Sequence, residues 1–327
     1  MEIIKHNSHD EWLKTRSLGV GGSDIAAICG FSKYRTAVDV WLEKTGQKEQ
    51  QPMNDAMHFG TLLEDIVAKE FQARTSMKVQ KFNATLKDDF RIANIDRAIV
   101  NPYYSKIVRF KDDHLTTDCI LECKTASTYS AWRWGKSQLD DILNGGIKDE
   151  ASIPQEYLCQ IQWYMGICKV SSCYVAVLIG GQDFRVYHIY FDKNVFEFLQ
   201  QKAAIFWQHV IDKTEPEPVS AKEVEQLYET DNGNSVEADN ATAAAFGDLI
   251  TMRAQEKALK AQIEERVEQI KVFLGENTTM NIGGNKAVTW KTQTSKRLDS
   301  KLLKQDYPDI VKNYQKETTT RVFRISE

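Results

Sequence analysis

From about Asn54 to Ala73 the apolar residues Leu62, Leu63, Ile66, Val67 and Phe71 recur at helical spacing and predict a long helix. Two shorter helices are predicted before it. Ser23 and Asp24 can cap the apolar run Ile25–Ile28, and Ala37–Lys44 forms a second helix that stops near Gly46. The period then changes. Arg91–Val100, Cys119–Cys123, Ser172–Gly180 and Gln182–Phe191 read as strands, the last with Phe184, Val186, His188 and Tyr190 on one face. Helices are predicted from Pro154 to Cys168, with Pro154 in the first turn, and from Val195 to Lys213. Residues 1–215 therefore read as one mixed α/β unit.

The stretch Thr214-Glu215-Pro216-Glu217-Pro218 marks a boundary, and residues 216–240 read as a linker with a short helix at Ala221–Tyr228. Residues 241–327 form an appendage. Its first part, Ala241–Leu274, is helical, with Leu249, Met252, Leu259, Ile263, Val267, Ile270 and Leu274 in a coiled-coil-like seam and Gly275 as its stop. A hairpin over Met280–Lys291 turns at Gly283-Gly284.

Composition narrows the function. The 327 residues carry a net charge of −4, which excludes a uniformly basic nucleic-acid coat but not a local DNA-binding surface. No apolar run reaches the roughly 20 residues of a membrane span, and Met1–His6 lacks the apolar stretch of a secretion signal, so a cytoplasmic location without membrane contact is expected. The six cysteines form no C-x-x-C pair and have the character of buried free thiols rather than zinc ligands.

Four local patterns carry chemistry. In Leu121-Glu122-Cys123-Lys124, strand alternation puts Glu122 and Lys124 on one face and Leu121 and Cys123 in packing. A carboxylate can hold Mg²⁺, and an adjacent ammonium can orient water or meet charge on a phosphate. Asp96 ends an alternating segment, and a strand pairing could bring it to Glu122. Glu64 lies among apolar residues of the long helix and could face inward. Gln160 and Tyr164, four apart, share a helix face. Taken singly, these are also an ordinary solvated strand, a turn aspartate, an exposed helix glutamate and an amphipathic helix.

Their order resembles that of the PD-(D/E)xK nucleases. The run Arg16-Ser17-Leu18-Gly19-Val20-Gly21-Gly22-Ser23-Asp24, followed by Trp41–Gly46, Phe59-Gly60 to Glu64 and Ile153-Pro154 to Tyr164, resembles the YqaJ-type viral recombinase family of lambda-exonuclease-like proteins over roughly residues 10–210. The resemblance implies a restriction-endonuclease-like mixed central sheet flanked by helices, with the C-terminal helix and hairpin outside it. It implies an Mg²⁺-dependent exonuclease, with Mn²⁺ able to substitute, that resects duplex DNA 5′ to 3′ to leave 3′ overhangs for recombination. Asp96, Glu122 and the backbone carbonyl of Cys123 match metal ligands, and Glu64 is a further candidate. Lys124 matches the lysine that helps activate water, and Glu64 and Gln160 match supporting positions, with Tyr164 beside them. Arg16 and Ser23 match residues that hold a terminal 5′-phosphate, and Arg133 is placed with them by position alone. The implied partners are double-stranded DNA ends, a single-strand annealing protein and further copies of the chain in a ring. One departure stands out: Arg97 follows Asp96 where many relatives have glycine, which implies a phosphate contact or a different turn.

An endonuclease or repair nuclease of the same fold, or a non-catalytic DNA-binding assembly protein, uses the same residues differently. The resemblance does not reach residues 220–327. There, residues 286–324 hold ten Lys or Arg against four Asp or Glu, a balance of +6. That balance suits a DNA contact, a dock for the annealing protein, or a solvated surface.

Overall fold

The computed structural model describes residues 1–49, 54–103, 105–112, 114–146 and 151–326. Two compact units are present, Met1–Tyr228 and Glu229–Glu327. The first contains β1 (Glu2–Lys5), α1 (His9–Ser17), α2 (Gly22–Ile28), α3 (Ala37–Lys44) and α4 (Asp55–Thr75). The short strands β2 (Val79–Lys81), β3 (Ala84–Asp88), β4 (Arg91–Ala93), β5 (Arg97–Ile99), β6 (Phe110–Lys111) and β7 (His114–Leu115) follow. Then come β8 (Cys119–Ala126), a 3₁₀ turn at Thr128–Arg133, α5 (Leu139–Leu143), α6 (Gln155–Cys168), β9 (Ser172–Ile179), β10 (Asp183–Tyr190), α7 (Lys193–Asp212) and α8 (Ala221–Leu227).

A five-stranded mixed sheet of order β10-β9-β8-β5-β2 is the centre of this unit. β8 and β9 are parallel and the other neighbours antiparallel. A parallel pair needs a crossover, and α6 lies in the connection between them. Alternation along the strands divides the core. Leu121, Cys123, Ile99, Ala176 and Val186 pack with Val67, Ala68 and Phe71 of α4. Ile120, Val175, Val177 and Ile189 pack with Ile25 of α2, Ile161 and Met165 of α6 and Leu199 of α7. Both faces are covered, which is why β9 reads as a nearly unbroken apolar run, whereas Glu122 and Lys124 interrupt the apolar run of β8. The α4 helix starts where the Asn54 carboxamide accepts the Met57 N–H, and ends where Ser76 turns left-handed at φ 58°.

The expected strand Arg91–Val100 is two strands in two sheets. β4 joins β1 and β3 in a three-stranded sheet, whereas β5 joins the central one. At the break the Thr85 hydroxyl donates to the Asn94 carboxamide at 2.5 Å. Period-two alternation is the same in both sheets, so the sequence pattern does not reveal the switch. Pro154 caps α6 from outside rather than sitting in its first turn. Ala221–Leu227, expected within the linker, packs on α3: Glu223 is buried, and the Gln226 amide donates to Asp39 at 3.0 Å.

The second unit consists of α9 (Asn240–Leu274), the hairpin β11 (Thr279–Ile282) and β12 (Asn285–Thr289), α10 (Ser300–Asp306) and α11 (Pro308–Asn313). Asp239 caps α9 at its start and Gly275, at φ 55°, ends it. The hairpin turns at Gly283 and Gly284, with φ of 58° and 80°, the left-handed region that glycine enters without penalty. Met252, Leu259 and Ile263 of the predicted seam are exposed. Among the described residues no helix is long and apolar enough to cross a membrane.

Candidate active site

Strand alternation puts Glu122 and Lys124 on the α6 side of β8. The Lys124 ammonium donates to Glu122 Oε1 at 2.6 Å and to Gln160 Oε1 at 3.2 Å. The Gln160 amide donates to the same Glu122 oxygen at 2.7 Å, and to the Tyr164 hydroxyl at 3.4 Å. One helical turn separates Gln160 from Tyr164, so Tyr164 meets the same Gln160 amide that meets Glu122. Lys124 also lies 4.9 Å from the centre of the Tyr157 ring.

Asp96 reaches the site from the neighbouring strand. Arg97 pairs with Leu121 in the antiparallel register, which sets Asp96 opposite Glu122. The Cys123 N–H donates to Asp96 Oδ2 at 2.8 Å. A strand residue's N–H and C=O leave on one side, so the Cys123 carbonyl faces the same edge. Glu64 comes from α4, across the sheet. Its Oε1 accepts from Arg97 at 2.5 Å. Arg97 also bonds Asp65 and the Asp96 carbonyl, the latter at 2.6 Å. The phosphate contact considered for Arg97 is thereby corrected, since its guanidinium is buried against α4.

The electrostatics follow from burial. Desolvation and the neighbouring Glu122 and Glu64 carboxylates push the Asp96 carboxyl well above its ordinary range. Glu122 is raised by burial despite Lys124. Burial by itself would depress Lys124, but Glu122 and Asp96 outweigh it and keep the ammonium protonated. One oxygen each of Glu122, Asp96 and Glu64 carries a protein hydrogen bond, whereas Glu122 Oε2, Asp96 Oδ1 and Glu64 Oε2 accept none among the described residues. Those residues hold no group of three His, Cys, Asp or Glu already gathered around a metal position. The chemistry of Asp96 and Glu122 nevertheless fits a hard divalent cation: two opposed carboxylates, each with an oxygen to spare, with Glu64 near enough to raise both.

A second cluster surrounds α2. The Arg16 guanidinium donates to Ser23 Oγ at 3.1 Å and lies 3.7 Å from Asp24. Buried Asp24 also pairs with Arg35 at 2.9 Å and Lys44 at 2.8 Å, and Arg35 pairs with Glu43. These cations hold the Asp24 carboxyl well below its usual range, against the effect of burial. Three cations against two carboxylates leave a surplus of one positive charge. Gly22 sets this cluster beside the first. A Cβ there would meet Gln160 Cγ and Tyr164 Cε1, each at 2.6 Å, so glycine lets α2 lie directly against the residues that hold Glu122. Arg133 does not join the cluster; Glu156 takes its guanidinium in two bonds of 2.6 Å.

Sequence reasoning gave no role to Arg35, Lys44, Tyr157 or the contact at Gly22. Lys44 lay within the Trp41–Gly46 run already singled out. The others show no local signal, because their partners are distant in the chain. The six cysteines are all free, five of them buried. Burial raises Cys29 to about 11 and Cys119 to about 12, so neither presents a thiolate.

Residues 11–171 match the YqaJ-like viral recombinase domain. The "Uncharacterized protein YqaJ" of Bacillus subtilis (strain 168) is 31% identical over 341 residues, covering 100% of this chain and 98% of that one. Among solved structures, the alkaline exonuclease LHK-Exo of Laribacter hongkongensis is similar at a TM-score of 0.45 and 17% identity, over 63% of this chain and 94% of that one. A phage-related exonuclease of Haemophilus somnus 129PT is similar at a TM-score of 0.43 and 11% identity, over 62% of this chain and 100% of that one.

Proposed function

Since this chain belongs to the YqaJ-like viral recombinase family, we propose that it is an Mg²⁺-dependent exonuclease that resects linear duplex DNA from its 5′ ends. The 3′ overhangs it leaves would be substrates for a single-strand annealing protein in phage-type recombination, and further copies of the chain would complete a ring around the DNA. The observation that carries this reading is the Glu122–Lys124–Gln160 hydrogen-bond network with Asp96 opposite it on β5.

In the proposed reaction, Glu122, Asp96 and the Cys123 carbonyl hold the divalent ion, with Glu64 supporting them. When bound, that ion polarises the phosphoryl oxygen and acidifies a water; Mn²⁺ offers the same chemistry. Water attacks the phosphorus and gives up a proton to solvent while the P–O3′ bond breaks, and the leaving oxygen takes a proton from solvent. Lys124, held as an ammonium, orients the attacking water and meets charge developing on the phosphoryl oxygens; it is not a base. Gln160 fixes Glu122, and Tyr164 backs Gln160. Arg16 and Ser23 would receive the terminal 5′-phosphate, with Arg35 and Lys44 balancing Asp24 behind them.

The test is digestion of linear duplexes with 5′-phosphate or 5′-hydroxyl ends, with and without Mg²⁺, beside a covalently closed circle. Metal-dependent loss of phosphorylated linear DNA with the circle intact is expected. Cutting of the circle would point to an endonuclease, and no metal-dependent loss of any substrate to an assembly protein.

A further inference from the structure

Arg97 breaks the expected pattern beside a proposed metal ligand, and its contacts are specific. Its backbone belongs to β5, one residue after Asp96, and its side chain points to the α4 face. The side chain is buried, and one guanidinium meets three acceptors. Its Nη1 donates to Glu64 Oε1 at 2.5 Å and to the Asp96 carbonyl at 2.6 Å, while its Nη2 reaches Asp65. Glu64 is thus tied through one side chain to the backbone of the residue that carries the opposite carboxylate.

We propose that Arg97 is a positioning residue: it clamps Glu64 of α4 to the Asp96 end of β5, so that the unbonded Glu64 oxygen serves the divalent ion held by Asp96 and Glu122. The inference rests on the metal-dependent reading above. Two opposing effects must be weighed. A fixed cation beside a metal site repels the metal, but Arg97 and Lys81, the latter 3.5 Å from Asp65 and 4.0 Å from Glu64, face those two carboxylates together, two cations against two anions. The four charges balance, which leaves the clamp as the larger effect of Arg97. Geometry matters as well as charge, because a planar guanidinium can bridge two carboxylates and a carbonyl, and the point charge of a lysine cannot.

The test is Mn²⁺ binding by the full chain without DNA, followed through the electron paramagnetic resonance signal of free Mn²⁺. Arg97→Gln and Arg97→Lys, each checked for a cooperative melt, should bind about tenfold more weakly than the unmodified protein, in line with the roughly 10–100-fold cost of losing a residue that orients a ligand. In a Glu64→Gln background the Arg97 substitutions should add little, because the clamp no longer has the carboxylate it holds. If folded Arg97→Lys binds as tightly as the unmodified protein, charge alone suffices and the clamp is wrong. A weakening that persists in full without the Glu64 carboxylate also overturns it. Failure of the unmodified protein to bind Mn²⁺, or binding unaffected by Glu122→Gln, would sink the metal site itself. That outcome is distinguishable, since it does not depend on Arg97.

Discussion

Asp96 and Glu122 face each other where β5 meets β8, and burial leaves little water to screen them. Both carboxyls are raised, chiefly by desolvation. A carboxyl raised in the folded state contributes stability that is fully present below its unfolded value and is lost as the pH rises through the raised one. The metal-free protein should therefore lose stability as the pH climbs from the acid side towards neutrality. Asp96→Asn should flatten that decline and raise the melting midpoint measured in chelator near about pH 8. Mg²⁺ should raise the unmodified protein's midpoint more near about pH 8 than near about pH 6, because only the ionised pair binds it. Glu122→Gln and Asp96→Asn should both stop digestion while the protein melts cooperatively; near-normal turnover in folded Glu122→Gln would falsify the site. Arg16 sits among Ser23, Asp24 and Trp12. Its alanine variant should slow digestion mainly from 5′-phosphorylated ends, and an unchanged ratio between phosphate and hydroxyl ends would remove the pocket.

At the scale of elements, the site depends on α2 lying against α6. Gly22 has an ordinary helical backbone, so its role is space rather than conformational freedom. Gly22→Ala places a methyl against Gln160 and Tyr164, side chains on a buried helix that cannot withdraw freely. Overpacking of this kind costs about 1–3 kcal/mol. The expected result is a lowered denaturant midpoint together with slower digestion, because the shift passes through Gln160 to Glu122. A variant with unchanged stability and rate would show that α2 moves without disturbing α6. The break at Asn94–Asp96 has the same logic. Asp96 reaches Glu122 because the chain leaves the β1-β3-β4 sheet just before it and enters the central sheet just after.

Across the whole molecule, residues 229–327 form a second unit in which Lys286, Lys291, Lys296 and Arg297 are all exposed. Trp290 lies among them, with the Lys271 ammonium 6.0 Å from its ring centre. Duplex binding by this surface would release counterions, so affinity would fall steeply with salt. Replacing the four cations by alanine should reduce the slope of log affinity against log salt by about one for each phosphate that is no longer neutralised. Cleavage of short duplexes at low salt should be unchanged, because the acidic site lies in the first unit. An unaltered slope would assign this surface to something other than DNA.

Periodicity alone located α3, α4, α6 to α9, β8 to β10 and the β11–β12 hairpin, because each is long enough, or sharply enough punctuated by glycine, for local preference and burial pattern to agree. It also put Glu122 and Lys124 on one face, since alternation is a property of any strand. The short strands β1, β2 and β3 escaped notice, as their few residues take their conformation from partners distant in the chain. The same reason separates the residues of the site. That Asp96 stands opposite Glu122, that Arg97 turns to Glu64 rather than to solvent, that Arg133 is taken by Glu156, and that Arg35 and Lys44 close around Asp24 were decided by packing between elements. Hydrogen bonds and ion pairs across such distances in sequence leave no period to read; only the folded chain brings their partners together.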